Sequence, residues 1–218
     1  MDLEDDIAGK YQLRNNKDQL YSSAYARRSF EERAAKIREI LTKHRKQDHT
    51  ILEIGAGHGD NVPVLHGAGF EWHNIFLNEL LPERLHNIRS RYPQTTVIAG
   101  NALDADFKQQ FNVVFQSTVF TSIISQELRQ KLAQKMWELL LPGGIILWYD
   151  FIFNNPSNKD VRAVTVRETR QLFPDSVGAE INRITLAPPI GRRVGNLYPL
   201  FNLPFLRSHI LAVFQKAA

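Results

Sequence analysis

The sequence has no cysteine, and this absence excludes several kinds of protein at once. Without thiols there is no disulfide framework, no thiolate metal site and no cysteine nucleophile. An uninterrupted apolar run of roughly eighteen residues is also lacking, so no membrane-spanning helix is predicted. The acidic, polar start MDLEDDIAGK is unlike a secretory or transit peptide. Together these features predict a cytoplasmic protein.

Strong charge of one sign is missing as well. Lys and Arg number 27 against 23 Asp and Glu, which gives a net charge of +4, and the cations form no dense block. Phosphate contacts supply most of the affinity of nucleic-acid-binding proteins, so an RNA partner is disfavoured. With 218 residues, 43% of them hydrophobic, the chain is long enough for one α/β domain with a sizeable core.

Apolar stretches of strand length alternate with amphipathic stretches of helix length. This alternation predicts a parallel sheet covered by helices on both faces. The predicted strands are 50–54, 74–78, 95–99, 112–116, 144–149, 180–186 and 209–214, and the predicted helices are 11–44, 61–67, 82–91, 126–141 and 161–172. We interpret 1–218 as a single domain: a helical lid or cap at 1–45, a cofactor-binding core at 46–151 and a substrate-side region at 152–218.

The most informative stretch is Ile51 to Asn61, ILEIGAGHGDN. It predicts a buried strand that runs through a glycine-rich turn into a helix, a place where backbone N–H groups meet electron-rich ligands. A dinucleotide-binding fingerprint requires G-x-G-x-x-G, whereas here the third glycine comes one residue early and Asp60 stands in its place. The pattern is instead E-x-G-x-G-x-G, beginning at Glu53.

This pattern resembles the first motif of the class I S-adenosylmethionine-dependent methyltransferases. GNALDADF is similar to the family's adenine-binding turn, FNVVFQSTVF to its fourth motif and LLLPGG to the turn before its fifth strand. The resemblance runs over about 48–151. It implies a Rossmann-like, doubly wound sheet of seven strands, mostly parallel, with the last strand antiparallel and inserted beside the fifth.

The resemblance also implies that S-adenosylmethionine is the cofactor. The residues placed around it are Glu53, Gly55, Ala56, Gly57, Gly59, Asn61, Glu79, Leu80, Asn101, Ala102, Gln116 and Ser117. Some alternatives stay open. Ser117 and Thr118 could equally form a turn and a helix cap, and Asn101 stands where the family more commonly has an acid, which Asp104 could supply instead.

Glu79 is also predicted from position alone, because ligands of doubly wound sheets lie outside the carboxyl ends of the strands. A carboxylate that ends the second strand can accept hydrogen bonds from ribose hydroxyls. It could instead cap the helix at 82–91, and Asn78 is the alternative one residue earlier.

Methyl transfer to a hydroxyl often needs a base, whereas an amine acceptor needs only to be neutral. The predicted topology brings the end of strand five beside the start of strand seven, so we expect Asp150 and His209 to be neighbours near the methyl group. His209 is then the candidate general base and Asp150 its orienting partner, although a strand-start histidine can equally bond to backbone. The remaining histidines have no ligand-like spacing, and no metal site is expected.

The segment APPIGRRVGNLYPLFNLPFLRS is interpreted as a long functional loop over the substrate, in which a short helix could form. The substrate-binding candidates are Tyr149, Arg192, Arg193 and Tyr198, with Arg207, Phe201 and Phe205 beside them. Arginines could hold a carboxylate or phosphate, or could simply be solvated. Tyr11, Tyr21, Tyr25 and Arg28 on the N-terminal helix could form a lid, or could pack against the sheet.

The function predicted from these features is O-methylation of a small molecule or glycan. The alternatives are N- or C-methylation of a natural product, a lipid, a quinone or RNA, a nicotinamide-dependent oxidoreductase, and a binding module without catalysis. The sequence indicates neither the oligomeric state nor the pathway.

Overall fold

Seven strands form one mixed sheet in the computed structural model, which describes residues 23–154 and 158–218. The strand order is β3-β2-β1-β4-β5-β7-β6. The strands are β1 (Ile51–Ile54), β2 (Ile75–Glu79), β3 (Thr96–Ala99), β4 (Phe111–Ser117), β5 (Leu140–Phe151), β6 (Gly178–Leu186) and β7 (Arg207–Gln215). β1 to β5 pair in parallel, and β7 runs antiparallel to both β5 and β6. The predicted fold class is confirmed.

Helices cover both faces of this sheet. They are α1 (Ala24–His44), α2 (Val62–Gly67), α3 (Pro82–Arg91), α4 (Gln126–Glu138), α5 (Val166–Leu172), α6 (Pro188–Val194) and α7 (Tyr198–Phe201). One apolar core joins α4 to one face, and a second joins α1, α2 and α3 to the other. In the part of the chain that the structure describes, no helix is long and apolar enough to cross a membrane.

Successive side chains of a strand point to opposite faces of the sheet, so they belong alternately to the two apolar cores. In β1, Leu52 and Ile54 belong to the α4 side, whereas Ile51 belongs to the side of α1 and α2. A parallel strand buried on both faces therefore reads as the nearly continuous apolar run ILEI. Glu53 is the exception, and it is buried as well.

The structure changes two boundaries around the fifth strand. The helix predicted to reach 141 ends at Glu138, and β5 begins at Leu140, earlier than expected. Gly143 takes a positive φ of 73° at this turn, which allows the chain to enter the sheet directly.

The segment predicted as a long loop is mostly helical. Between β6 and β7 it forms α6, a 3₁₀ turn at Gly195–Leu197, α7 and a second turn at Pro204–Leu206. Prolines stand in the first turn of α6, α7 and the last 3₁₀ turn, where the missing N–H costs no hydrogen bond. Frequent proline thus marks several short helix starts here.

Candidate active site

A cavity of about 660 Å³ opens at the carboxyl ends of β1, β2 and β4. The chain leaves β1 toward β2 on one side, and β4 lies on the other, so the cavity sits at the switch point of the sheet. Its volume falls within the usual range for small-molecule sites. The twelve predicted cofactor residues line it except for Gly59 and Gln116.

The glycine turn forms the floor of this cavity. Gly55, Gly57 and Gly59 all have φ between 63° and 76°, a region that side chains with a Cβ rarely adopt. A Cβ on Gly55 would lie 2.7 Å from Val119 Cγ2, and one on Gly59 would lie 2.9 Å from the ring of Tyr92. A Cβ on Gly57 would meet no atom within 4 Å. The space above Gly57 is therefore left for a ligand.

Glu53 is the buried carboxylate beneath this turn. It is 1% exposed, and its Oε1 accepts a 2.6 Å hydrogen bond from Asn61 Nδ2. Its Oε2 has no hydrogen-bond partner among the described residues. Burial raises the pKa of Glu53 to about 8, although Asn61 and the nearby Arg33 oppose that shift. Buried polar atoms usually have a hydrogen-bond partner, so this oxygen is a candidate to interact with a polar group of a ligand.

Arg33 on α1 reaches the same cavity, and the sequence analysis missed it. Its Nη2 donates to Asn61 Oδ1 at 3.2 Å, while its Nε is buried and has no hydrogen-bond partner in the part of the chain that the structure describes. The guanidinium lies 5.1 Å from the ring centroids of both Phe30 and Tyr149. Asn61 thus hydrogen-bonds to both residues and links the Glu53 carboxyl to the Arg33 guanidinium.

The lid on the N-terminal helix stays a prediction, and its two candidates within the described residues, Tyr25 and Arg28, do not line the cavity. Tyr25 is buried and donates to the carbonyl of Leu186, and Arg28 is exposed and pairs with Glu31 at 3.3 Å. Tyr11 and Tyr21 lie outside the described residues. Phe30 and Arg33, three residues apart on one helical face, are the pair that reaches the cavity.

Glu79 holds the glycine turn against the end of β2. Its Oε2 accepts from the Gly57 N–H at 2.7 Å, and its Oε1 accepts from the Leu81 N–H at 3.0 Å. Each carboxylate oxygen has a second lone pair, so both can still accept from a ligand. Asn78, the register alternative, instead donates to the carbonyls of Ile98 and Gly100, which ties β2 to the end of β3.

The turn after β3 is shaped by Asn101. Its Oδ1 accepts from the Leu103 N–H at 3.0 Å, which closes a turn over Ala102. Both Asn101 and Ala102 are buried and line the cavity. Asp104, the alternative acid, is exposed and does not line it.

Hydrogen bonds of Gln116 fix the end of β4. Gln116 is fully buried, donates to the carbonyl of Tyr149 and accepts from the Val119 N–H. Ser117 and Thr118 line the cavity, and Thr118 has a φ of 60°. Backbone strain at a β-branched residue is uncommon and is concentrated at functional sites.

The expected pairing of Asp150 with His209 is not present. In the antiparallel ladder Asp150 faces Ile210 and His209 faces Phe151, so the two side chains emerge on opposite faces of the sheet. Asp150 is fully buried and accepts from the Thr121 hydroxyl at 2.6 Å. Burial raises the pKa of Asp150 to about 7. The ends of β5 and β7 are adjacent, as predicted, but side chains alternate between the two faces of the sheet, and this alternation separates Asp150 from His209.

His209 does not line the cavity. Its ring stacks on Tyr149 with centroids 5.1 Å apart, and its Nδ1 is 3.0 Å from Ser208 Oγ. Burial, helped by the charge of Arg33, lowers the pKa of His209 to about 3. The imidazole is therefore neutral across the physiological pH range.

The four predicted substrate residues also lie away from the cavity. Tyr149 and Tyr198 are buried, and their hydroxyls bond to Thr185 Oγ1 and Glu32 Oε2 respectively. Burial raises the pKa of both tyrosines. Arg192 and Arg193 are exposed at the end of α6. Among the residues that the structure describes, no cluster of His, Cys, Asp and Glu could hold a metal ion.

Comparison with known proteins assigns this fold and cavity to a family. Residues 51–144, which run from β1 into β5 and include the glycine turn, match the family model described as a methyltransferase domain. The protein is a class I S-adenosylmethionine-dependent methyltransferase. The family resemblance, the enzyme class and the cofactor predicted from the sequence are thereby confirmed. A search of curated proteins found no significant match to this methyltransferase.

Solved structures show that this methyltransferase shares its fold with distant relatives. The glycopeptide N-methyltransferase MtfA, in complex with S-adenosyl-L-homocysteine, is 14% identical with a TM-score of 0.64, over 85% of this chain and 90% of that one. An S-adenosylmethionine-dependent methyltransferase from Archaeoglobus fulgidus is 12% identical with a TM-score of 0.62, over 84% and 92%. A TehB-like methyltransferase from Corynebacterium glutamicum is 14% identical with a TM-score of 0.57, over 82% and 86%.

Proposed function

We propose that this methyltransferase methylates a hydroxyl group of a small molecule or glycan. The proposal rests first on cofactor binding, and the observation that supports it is a pair of groups in the glycine-lined cavity, Glu53 Oε2 and Arg33 Nε, that have no hydrogen-bond partner among the described residues. A zwitterionic amino-acid group would satisfy both, because its ammonium pairs with a carboxylate and its carboxylate with a guanidinium. The methionine part of S-adenosylmethionine is such a group.

The remaining cavity residues fit the nucleoside part of the cofactor. Glu79 would accept hydrogen bonds from the ribose hydroxyls, and Asn101 with Ala102 would hold the adenine. Gly57 would let the ligand lie directly against the backbone, since no Cβ occupies that space. When bound, the cofactor supplies a methyl group on an activated sulfonium, so the protein mainly aligns the acceptor and excludes water.

His209 is proposed as the proton acceptor for a hydroxyl substrate. A hydroxyl becomes strongly acidic as its oxygen takes on the methyl group, so even a weakly basic neutral imidazole can receive its proton. In support of this role, His209 stacks on the ring of Tyr149, and the guanidinium of the cavity residue Arg33 lies 5.1 Å from the centroid of the same ring. The acceptor would lie on the α1 side of the cavity, beside Phe30 and Arg33. Arg192 and Arg193 of α6, which packs on α1, are proposed to contact it.

Cofactor binding is tested by thermal unfolding with S-adenosylhomocysteine and with NAD as the control. A ligand at about a hundred times its Kd adds roughly 2.7 kcal/mol, which for a chain of this size raises Tm by about 5–10 °C. A shift with the homocysteine and none with NAD is expected. A shift with NAD alone would contradict the proposed ligand set.

The acceptor is tested by S-adenosylhomocysteine release with matched panels of sugar hydroxyls, phenols and amines. A general base contributes about 10²-fold or more, so His209→Gln should lower kcat at least tenfold with a hydroxyl acceptor. Binding of S-adenosylhomocysteine should stay unchanged.

An amine acceptor is the second candidate, because Asp150 is turned away from His209 and no paired base is formed. With an amine, His209→Gln should leave kcat unaffected. Turnover of amines alone, insensitive to this substitution, would replace O-methylation by N-methylation.

A further inference from the structure

The segment between β6 and β7 presents a dense apolar surface. Among the described residues, five of the nine exposed large apolar side chains lie within 197–205, and they are 41–72% exposed. They are Leu197, Leu200, Phe201, Leu203 and Phe205. An apolar cluster of this kind on a protein surface marks an interaction site. We name these five residues the apolar cap.

The segment that carries the apolar cap is held firmly. Asn202 Nδ2 donates to Glu32 Oε1 at 2.7 Å, and Arg207 Nε donates to Asn202 Oδ1 at 3.0 Å. Tyr198 is buried against Tyr25 and hydrogen-bonded to Glu32 Oε2. The exposed side chains therefore project from a braced segment, which reduces the conformational entropy lost on docking.

Positive charge surrounds the apolar cap. Residues 181–218 contain no Asp or Glu but carry four arginines and one lysine. Arg192 and Arg193 are exposed in the last turn of α6, immediately before the cap. The first turns of α1 pack on α6 where Tyr25 meets Gly191, and they add Arg27, whereas Arg28 is paired with Glu31. Apolar side chains next to exposed arginines match an anionic lipid surface, with its negative headgroups above an apolar interior.

The apolar cap lies on the cofactor side of the sheet. β6 ends at Leu186 and runs parallel to β5, so the segment that follows it emerges at the same edge as the cavity. A surface that docks there would lie beside the entrance used by an acceptor.

We propose that the apolar cap, with Arg192 and Arg193, docks this protein on anionic phospholipid membranes. The leucines and phenylalanines enter the headgroup region, and the arginines lie against the lipid phosphates. Charge complementarity favours this partner over a second copy of the chain, because two such basic surfaces would repel each other.

The test is sedimentation of the full chain with vesicles, comparing equal parts phosphatidylcholine and phosphatidylglycerol with phosphatidylcholine alone. We expect binding to the anionic vesicles that weakens as salt is added. The double variant Leu200→Ser with Phe205→Ser should lower the partition coefficient at least tenfold. Each substitution removes the favourable free energy of transferring a large apolar side chain out of water. Arg192→Gln with Arg193→Gln should lower it by about tenfold on anionic vesicles only.

The matched control is Val177→Ser, since Val177 is 66% exposed but stands at the far end of β6. It should bind vesicles as the unchanged protein does. All variants should keep their Tm and its rise with S-adenosylhomocysteine, because the substituted side chains are exposed. Failure of the unchanged protein to sediment, or an equal loss with Val177→Ser, would overturn the proposal. A dimer in light scattering that the Leu200→Ser, Phe205→Ser variant dissociates would assign the cap to a second copy instead.

Discussion

At the scale of single residues, three glycines of one turn share a conformation but differ in what surrounds them. Gly55 and Gly59 are closed in by Val119 and Tyr92, whereas Gly57 faces the cavity. All three have a positive φ, and a residue with a Cβ would be strained in this backbone conformation. Only at Gly57 does the missing Cβ also leave room for a ligand.

We predict that Gly57→Ala weakens S-adenosylhomocysteine binding at least tenfold while lowering the free energy of unfolding by about 1–2 kcal/mol. Gly143→Ala is the matched control, because Gly143 has a similar φ of 73°, does not line the cavity, and an added Cβ there would meet only Ala218, 3.9 Å away. Calorimetric titration and urea unfolding separate the two effects. Equal losses of affinity in both variants would mean that the space above Gly57 is not used.

Glu53 predicts a pH-dependent affinity. Because burial raises its pKa to about 8, the ligand-free carboxyl is protonated at neutral pH and must lose a proton to pair with an ammonium. The affinity for S-adenosylhomocysteine should therefore rise by up to about tenfold per pH unit below pH 8 and then level off. Glu53→Gln should bind more weakly and lose this pH dependence. Calorimetry in buffers of different ionisation enthalpy would detect the released proton.

At the scale of elements, Glu32 joins α1 to the segment between β6 and β7. Its carboxylate accepts from the Thr185 N–H at 3.1 Å, from Tyr198 Oη at 2.5 Å and from Asn202 Nδ2 at 2.7 Å. Thr185 itself is buried with a φ of 64°, so this carboxylate supports a strained strand end. One side chain thus ties the cavity-lining helix to the segment over the sheet.

We predict that Glu32→Ala lowers the free energy of unfolding by about 2–4 kcal/mol, since it leaves buried donors unpaired. The fall in Tm should be about 5–12 °C for a chain of this size. Glu31→Ala removes only an exposed pair with Arg28 and should cost less than about 1 kcal/mol. Similar Tm values for the two variants would show that the connection adds little.

At the scale of the whole molecule, two buried carboxyls make the ligand-free protein less stable as the pH rises. Burial raises the pKa of Glu53 to about 8 and of Asp150 to about 7, above the ordinary 4.5 and 3.8. At a pH between the ordinary and the raised pKa of each carboxyl, the folded chain keeps a proton that the unfolded chain has released. The free energy of unfolding therefore falls as the pH rises through this range. His209 has the opposite sign and acts below about pH 6.5, because only its unfolded form takes up a proton there.

We therefore predict a loss of about 2 kcal/mol in the free energy of unfolding between pH 6.5 and pH 8. Urea unfolding of the ligand-free protein at the two pH values measures it. Glu53→Gln with Asp150→Asn should remove most of this difference. A stability that rises over the same interval would contradict the assigned protonation states.

Patterns among residues close together in the sequence predicted most of the fold and the cofactor-binding side of the site. The glycine turn, the acid ending β2 and the alternation of strand and helix are each set by residues a few positions apart. Arg33 and the true partners of Asp150 could not be found in this way. Arg129 is a further example: it is fully buried on α4 and donates to carbonyls at Phe120, Ile123 and Arg162. Nothing in its helical neighbourhood distinguishes it from a solvated arginine.

The sequence by itself determined the family, the seven-stranded fold and ten of the residues that line the cavity, because these depend on short-range backbone requirements and apolar periodicity. The tertiary structure decided which side of the sheet Asp150 and His209 face, since one step along a strand reverses the direction of a side chain. It also decided that α1 supplies Arg33 to the cavity and that the segment after β6 exposes an apolar cap. Both depend on packing between separate elements, because Arg33 bonds to Asn61, 28 residues away, and Asn202 of the cap segment bonds to Glu32, 170 residues away. Periodicity within one element does not predict such contacts.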